Sequence, residues 1–387
     1  MRVTLITSRY PLPSWRGNQV RTVEWLDALS EHDLELICPE SGGEGPGQLA
    51  VRVRHYPLGI LSRSQSLIRA VVSGRPMQEG LYESAPARRL VKAAVQSFHP
   101  DLVIVQMVRC AWAGEAVWEW KTSVPVIFDS IDAMGLHFER AALTAAVPLA
   151  VAYRAEAERC RRRERALVEK ARFSVAVSRR DIEALNVPEG RSRVIPVAGR
   201  ETETTAAEST MPGVLLSGNL GYRPTVKGAQ WFASEVWPGI LQRVPEARWV
   251  LAGARPDPAM RRLARLQGVE IHADVPDLGD YLRSARVAIA PMSSGSGVPM
   301  KVLEAMAAGV PTVVHPWAAD GLAEGAAETV AVASRAEDWV DTIAGLLEDA
   351  GTARDLGERG RELWRRHYHP DVVASQIRDV VAEAALH

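Results

Sequence analysis

The chain has 387 residues, with 46 Lys plus Arg against 47 Asp plus Glu, for a formal net charge of −1. That balance gives no global reason to expect nucleic acid, whose binders carry a basic excess or patch, and the length exceeds what one hydrophobic core usually organises, which points to two domains. Three cysteines, Cys38, Cys110 and Cys160, are widely separated and lack metal-ligand spacing, so reduced thiols in a cytoplasm are expected. The apolar run Val3 to Ile6 is too short for the core of a signal peptide, and no segment reaches the length of a membrane-spanning helix.

In chain order, Arg2 to Thr7 reads as a buried strand, followed by a loop with Pro11, Pro13 and Gly17 and a helix from Gln19 to Ser30. Further strands are expected at Leu34 to Cys38, Val51 to Tyr56, Leu102 to Gln106 and Val124 to Asp129, with helices at Ser64 to Val72, Ala85 to Ser97 and Ala111 to Trp120. The alternation implies a mainly parallel sheet flanked by helices. Tyr153 to Lys170 is strongly helical, Phe173 to Val177 a strand, Arg179 to Leu185 a short helix, and Val194 to Val197 closes this half.

Residues Ala198 to Pro212 are small or polar, as a domain linker is. A second alternating half follows, with strands at Val214 to Ser217, Arg248 to Gly253, Val269 to His272 and Thr329 to Val332. Its helices are expected at Thr225 to Val236, Pro238 to Arg243, Ala259 to Gln267, Asp277 to Ser284 and within Ala336 to Arg366. The domain reading is therefore 1–197, a linker at 198–212, a second domain at 213–368 and a final helix within 369–387.

The most chemical stretch is Val287 to Val314, VAIAPMSSGSGVPMKVLEAMAAGVPTVV. It reads as a strand ended by Pro291, a loop of small residues from Ser293 to Gly297, a helix opened near Pro299 and stopped at Gly309, and a second strand. Orphan N–H groups at Val298, Met300 and Lys301 would point into the loop, where the positive end of the helix favours an anion. Glu304 lies about one turn further in, too deep to cap but able to accept two hydrogen bonds from a sugar diol.

This segment resembles the donor-binding motif of retaining glycosyltransferases of family 4, also called group 1. Glu304, Ala305, Met306, Ala307, Gly309 and Pro311 stand where that family has them, and the resemblance implies that Glu304 holds the ribose of a nucleotide sugar. Where many relatives carry a first Glu, eight positions earlier, this chain has Ser296. An exopolysaccharide-associated subgroup also lacks that Glu and has a Gly-x-x-x-Lys-Val-Leu-Glu pattern like Gly297 to Glu304. The family implies an α/β GT-B fold, two Rossmann-like domains facing a central cleft, with the final helix returning to the first domain.

Leu216 to Phe232 supplies a second matching piece, in which Arg223 and Lys227 would neutralise the leaving diphosphate. The family spaces this Arg and Lys by four residues; here three intervene. In the first half, the loop Arg16-Gly17-Asn18 is equivalent to the glycine loop that relatives bring near the diphosphate. Asp129 and Asp132 follow a buried strand where many relatives carry a histidine; they read either as contacts to sugar hydroxyls or as turn formers and helix caps. His137 reads as a surface or packing residue. By analogy with the family, the nucleobase would lie near Gly253 to Arg255 and Asp274 to Val275.

The Arg-rich run Arg159 to Arg165 alternates with glutamates and reads as ion pairs along a solvated face rather than a nucleic-acid site. Ala141 to Ala152 is mostly apolar and would either cover the domain core or touch a membrane, although it cannot span one. The resulting expectation is a cytoplasmic, metal-independent retaining glycosyltransferase needing no cofactor beyond a nucleotide-sugar co-substrate, UDP favoured. Asp132, Lys227 and Arg223 are its catalytic candidates; Gly17, Asn18, Asp129, Ser296, Gly297, Val298, Pro299, Met300 and Glu304 are its substrate-binding candidates. Its partners would be the nucleotide sugar, a carbohydrate or small-molecule acceptor and, peripherally, the inner face of a membrane. A binding subunit of the same fold without turnover, and an epimerase, are the alternatives.

Overall fold

The computed structural model describes all residues except 15, 41–48, 59, 121–122, 144, 200–212, 294–297 and 387. Most of the expected linker and two of the expected site residues, Ser296 and Gly297, thus lie outside the described residues. The chain divides into two compact units, Met1–Val197 together with Val373–His387, and Ala198–Val372.

The first unit is built on seven strands: β1 (Arg2–Ile6), β2 (Asp33–Pro39), β3 (Arg52–Tyr56), β4 (Leu102–Gln106), β5 (Val126–Ile131), β6 (Phe173–Ala176) and β7 (Ser192–Val194). Their order is β3-β2-β1-β4-β5-β6-β7, and every described pairing is parallel. β4 and β5 are buried at every position because helices cover both faces, which is why they read as uninterrupted apolar runs. The second unit repeats the plan with β8 (Gly213–Asn219), β9 (Arg248–Ala254), β10 (Val269–Ala273), β11 (Val287–Ala290), β12 (Thr312–Val314) and β13 (Ala331–Val332), in the order β10-β9-β8-β11-β12-β13. Its core is aromatic: Phe232 stacks edge-on to Trp249 with ring centroids 4.7 Å apart, and Trp237 and Trp339 close the cluster at 6.4 and 6.0 Å from Phe232.

The helix Arg223–Trp231 runs into Trp237–Arg243 through one π turn at Phe232–Val236. Pro238 has no N–H to offer the carbonyl a turn earlier, and the extra residue in the turn absorbs that loss. In the first unit, helix Val147–Lys170 begins a turn and a half before the expected start, with Pro148 in its first turn.

The solvated-face reading of its arginine run needs correction. Glu156, Cys160, Arg163, Glu164 and Leu167 form one buried stripe at helical spacing. Arg163 makes a two-pronged contact with the completely buried Glu79, Nη2 to Oε1 at 2.6 Å and Nε to Oε2 at 2.8 Å, and its third arm reaches Glu115. Glu156 accepts from the Met77 N–H at 2.6 Å. A guanidinium with its fork filled by two carboxylates is tolerated inside; losing one partner would leave an uncompensated buried charge.

The apolar stretch near Pro148 forms the end of helix Met134–Leu143 and the start of helix Val147–Lys170. Ala142 and Ala150 are buried, whereas Leu143, Val147 and Val151 are 67%, 78% and 58% exposed. The core-cover reading therefore holds only for the alanines. No described helix is long and apolar enough to cross a membrane. Cys38, Cys110 and Cys160 are buried free thiols.

Candidate functional site

In an open parallel sheet, the crevice forms beyond the carboxyl ends of the strands where the order reverses. In the first unit that point is β1/β4, and in the second it is β8/β11.

At the first unit's edge, Gly17 and Asn18 open the helix Gly17–Ala28. A Cβ on Gly17 would meet no atom within 4 Å, so packing among the described residues does not demand glycine there. Asn18 is half-buried and its Nδ2 has no hydrogen-bond partner among the described residues, an open donor at the start of the helix. Met107 and Ile131, directly after β4 and at the end of β5, have positive φ values of 62° and 60°. Non-glycine residues are strained there, and such strain gathers at sites where the backbone must aim a neighbouring side chain.

Asp129 does not belong among the sugar contacts. It is completely buried, and its Oδ2 accepts from Arg21 Nε at 3.1 Å, Trp25 Nε1 at 2.7 Å and Gln106 Nε2 at 3.1 Å. Gln106 is held in turn by Thr22 Oγ1, at 2.7 Å from Oε1, and Arg21 Nη1 donates to the Pro196 carbonyl at 2.9 Å. β5 extends two residues beyond the expected end, so Asp129 falls within the strand, where it fixes the edge from beneath.

Asp132 stands past the strand end, half-buried, and leads into helix Met134–Leu143. The first N–H groups of that helix find acceptors far along the chain. Glu164 accepts from the N–H groups of Met134 at 2.6 Å and Gly135 at 3.2 Å, and Asp181 accepts from Ala133 at 3.1 Å. Burial pushes the Glu164 carboxyl up to about 8 against the lowering by these two N–H groups. A raised carboxyl contributes stability below its unfolded value and loses it as pH rises towards about 8. Glu164→Ala should therefore destabilise the first unit by about 2–4 kcal/mol at pH 5, since two buried donors lose their acceptor. The difference should narrow between pH 5 and 8; urea titrations across that range give the check, and a constant gap would contradict it.

In the second unit, helix Met300–Ala307 follows β11, with Pro299 as its N-cap residue and no side chain capping that end. Val302, Leu303, Ala305, Met306 and Ala307 face the core, while Lys301 and Glu304, one turn apart, are only partly buried. Lys301 Nζ donates to Thr225 Oγ1 at 3.1 Å and contacts Met292 Sδ at 3.4 Å. Burial lowers its ammonium to about 8, with Glu304 opposing from one turn away. No carboxylate of the described residues lies within ion-pair distance of that ammonium. Lysines are seldom buried unpaired, and here the partners are a hydroxyl and a thioether.

Lys301 is the group that sequence reasoning missed as a side chain. A cation flanked by apolar residues in PMKVLEAMA, at the Lys of the Gly-x-x-x-Lys-Val-Leu-Glu pattern, was its local signal. Arg223 and Lys227 are exposed at i and i+4 in the first turns of helix Arg223–Trp231, the helix that also carries Thr225. Gly228 lets that helix approach the end of β11: a Cβ there would lie 2.7 Å from the Pro291 carbonyl oxygen. At the ends of β9 and β10, Arg255 N donates to Asp274 Oδ1 at 2.7 Å, and both residues have a φ of 53°. The second unit thus gathers Arg223, Lys227, Lys301, Glu304 and an uncapped helix start at one sheet edge, while Gly17, Asn18 and Asp132 belong to the edge of the first.

The chain has the GT-B fold, two Rossmann-like α/β units each on a parallel sheet. Residues 211–349, which contain all of the second-unit candidates, match the family described as glycosyl transferases group 1. Sucrose-phosphate synthase from Thermosynechococcus elongatus is similar in structure with a TM-score of 0.75 at 16% identity, over 99% of this chain and 98% of that one. HepE from Anabaena, solved in complex with UDP-glucose, gives 0.65 at 13% identity over 99% and 100%. An α,α-trehalose-phosphate synthase (UDP-forming) from Burkholderia vietnamiensis gives 0.67 at 12% identity over the whole of both chains. By sequence, no curated protein matches this chain.

Proposed function

We propose that this protein is a retaining, metal-independent glycosyltransferase of family 4, moving a sugar from a UDP-sugar to a hydroxyl acceptor. The observation that carries the reading is the Lys301–Thr225 contact between two helix starts at the β8/β11 switch point, inside the segment matching group 1 glycosyltransferases. Lys301, Lys227 and Arg223, with the N–H groups of Val298, Met300 and Lys301, neutralise the diphosphate, and Glu304 accepts hydrogen bonds from the ribose. Pro299 starts the helix without a competing N–H. UDP is favoured because similar structures hold UDP or UDP-glucose or bear the name UDP-forming.

Transfer proceeds on one face of the sugar. The acceptor oxygen bonds to the anomeric carbon as the bond to phosphate breaks, the electron pair leaves with UDP, and the acceptor proton passes to a phosphate oxygen. No protein nucleophile enters, which agrees with Ser296 in place of a glutamate. Asp132 serves the acceptor side, where it accepts from a sugar hydroxyl and positions it. The protein works in the cytoplasm, and the exposed Leu143, Val147 and Val151 support shallow membrane contact. Val147→Glu with Val151→Glu should abolish co-flotation with anionic vesicles without altering UDP affinity; equal flotation of variant and parent would remove the membrane from the account.

Product analysis tests the activity directly. Incubation with UDP-glucose, UDP-galactose and UDP-N-acetylglucosamine and a panel of acceptors should yield a glycoside with the donor's anomeric configuration, in EDTA as well as in Mg²⁺. An inverted product, or activity that EDTA abolishes and Mg²⁺ restores, would contradict the mechanism. Binding of donors with no product from any acceptor would support a binding subunit, and an interconverted donor an epimerase.

A further inference from the structure

Arg109 lies in the short turn Val108–Cys110 that follows the strained Met107 at the end of β4. Arg9 is three residues beyond the neighbouring β1, on the adjacent strand end of the same sheet edge. Arg109 is half-buried, and its Nε donates to the neutral Gln78 Oε1 at 2.6 Å. Its remaining guanidinium nitrogens have no hydrogen-bond partner among the described residues, and neither does Arg9. Burial and the like charge of Arg9 both make the charged state of Arg109 harder to hold, while Tyr82 and Asp132 oppose them. His137 belongs to the same group: burial and the Arg109 charge hold its imidazole below the usual value, so it stands neutral.

This edge of the first unit therefore brings two guanidiniums to one place, with one carboxylate, Asp132, to offset them. Proteins seldom keep a half-buried arginine whose one hydrogen-bonded partner is a side-chain amide, because its other N–H groups lose water without gaining an acceptor. Met107 and Ile131, two residues before Arg109 and one before Asp132, have positive φ, and Arg21 and Gln106 donate to Asp129 within β5 of the same sheet.

We propose that Arg9 and Arg109 bind an anionic group on the acceptor, a phosphate monoester, with Tyr82 and His137 flanking it. A phosphate monoester suits the two forks better than a carboxylate, because it presents three terminal oxygens to two guanidiniums where a carboxylate presents two. The planar fork of Arg109, with Nε fixed by Gln78, leaves a terminal nitrogen pair free for phosphate oxygens. This rests on the acceptor side of the proposed transferase belonging to the first unit, and it narrows the acceptor to phosphorylated sugars or phosphate-bearing lipids.

Calorimetry on the full chain tests it, with glucose 6-phosphate, glucose, glucuronate and phosphatidate vesicles as probes, each with and without saturating UDP. Glucose 6-phosphate should bind while glucose and glucuronate do not. Arg109→Met should weaken that binding at least tenfold, and Arg9→Met, in a loop, should do the same should the first variant fold poorly. Lys227→Ala should leave it unchanged, and UDP affinity should be the same in both arginine variants. Vesicles binding in place of the hexose phosphate, with the same dependence on the arginines, would identify a lipid as the source of the phosphate. Binding lost in Lys227→Ala but kept in both arginine variants would put the phosphate in the second unit and overturn the proposal, as would a preference for glucuronate or no binding of any phosphate probe. Failure of UDP to bind would count against the donor reading instead, and the arms without UDP would still decide this one.

Discussion

Glu304→Ala is expected to weaken UDP binding by about 1.5–3 kcal/mol, the range for hydrogen bonds to a charged group, without unfolding the second unit. Glu304 is partly buried, while its helical neighbours Val302, Leu303, Ala305 and Met306 supply the packing, so truncation removes chemistry rather than core. The same carboxylate favours the charged form of Lys301 one turn away. Truncation should therefore also lower the Lys301 ammonium further, adding to the loss above pH 7. Glu304→Gln keeps the shape and one acceptor oxygen and should recover part of the affinity. Isothermal titration with UDP, alongside a thermal melt of each variant, separates these effects. Wild-type affinity in Glu304→Ala would take this residue out of the nucleotide site.

How much of this was legible in sequence followed from how far each side chain's partners lie along the chain. Buried parallel strands need no distant information, because covering both faces forces an apolar run; β4 at Leu102–Gln106 and the helix Arg179–Leu185 match their expected bounds. The helix Met134–Leu143 was not expected. Its capping groups, Glu164 and Asp181, lie 30 and 48 residues away, whereas sequence rules for helix starts look only three or four residues ahead. Asp129 was misread for the same reason: the donors that bury it, Arg21 and Trp25, are 108 and 104 residues upstream. The buried role of Arg163 depends on Glu79, 84 residues before it. At the second-unit edge, the glycine-stopped helix and Glu304 were readable because their spacing is local. The role of the Lys301 side chain was not, since Thr225 lies 76 residues away.

Lys301 carries the second large effect, and its sign is fixed by the direction of its shift. In the free protein, burial holds the ammonium at about 8, so at pH 7 it is mostly charged and at pH 9 mostly neutral. A diphosphate beside it favours the charged form and draws the group back towards its ordinary value. UDP binding should then be accompanied by proton uptake at pH 8 to 9, and affinity should fall by up to about tenfold per pH unit above about 8, where the free group has lost its proton and the bound group has not. Lys301→Met keeps the stem beside Gly218, whose added Cβ would lie 3.8 Å from Lys301 Cε, and removes only the charge. It should cost about 1.5–3 kcal/mol of UDP affinity at pH 7 and flatten the pH profile. Stability should move the other way. Between about pH 8 and 10.5 the unfolded wild type binds more protons than the folded protein, so its stability rises with pH there, and the methionine variant should lack that rise while being no less stable at pH 7. Calorimetry of UDP binding in two buffers of different ionisation enthalpy counts the protons. Equal affinity and equal proton uptake in variant and wild type would mean that the diphosphate never meets this ammonium, and the lysine would then be only a tie between two helices.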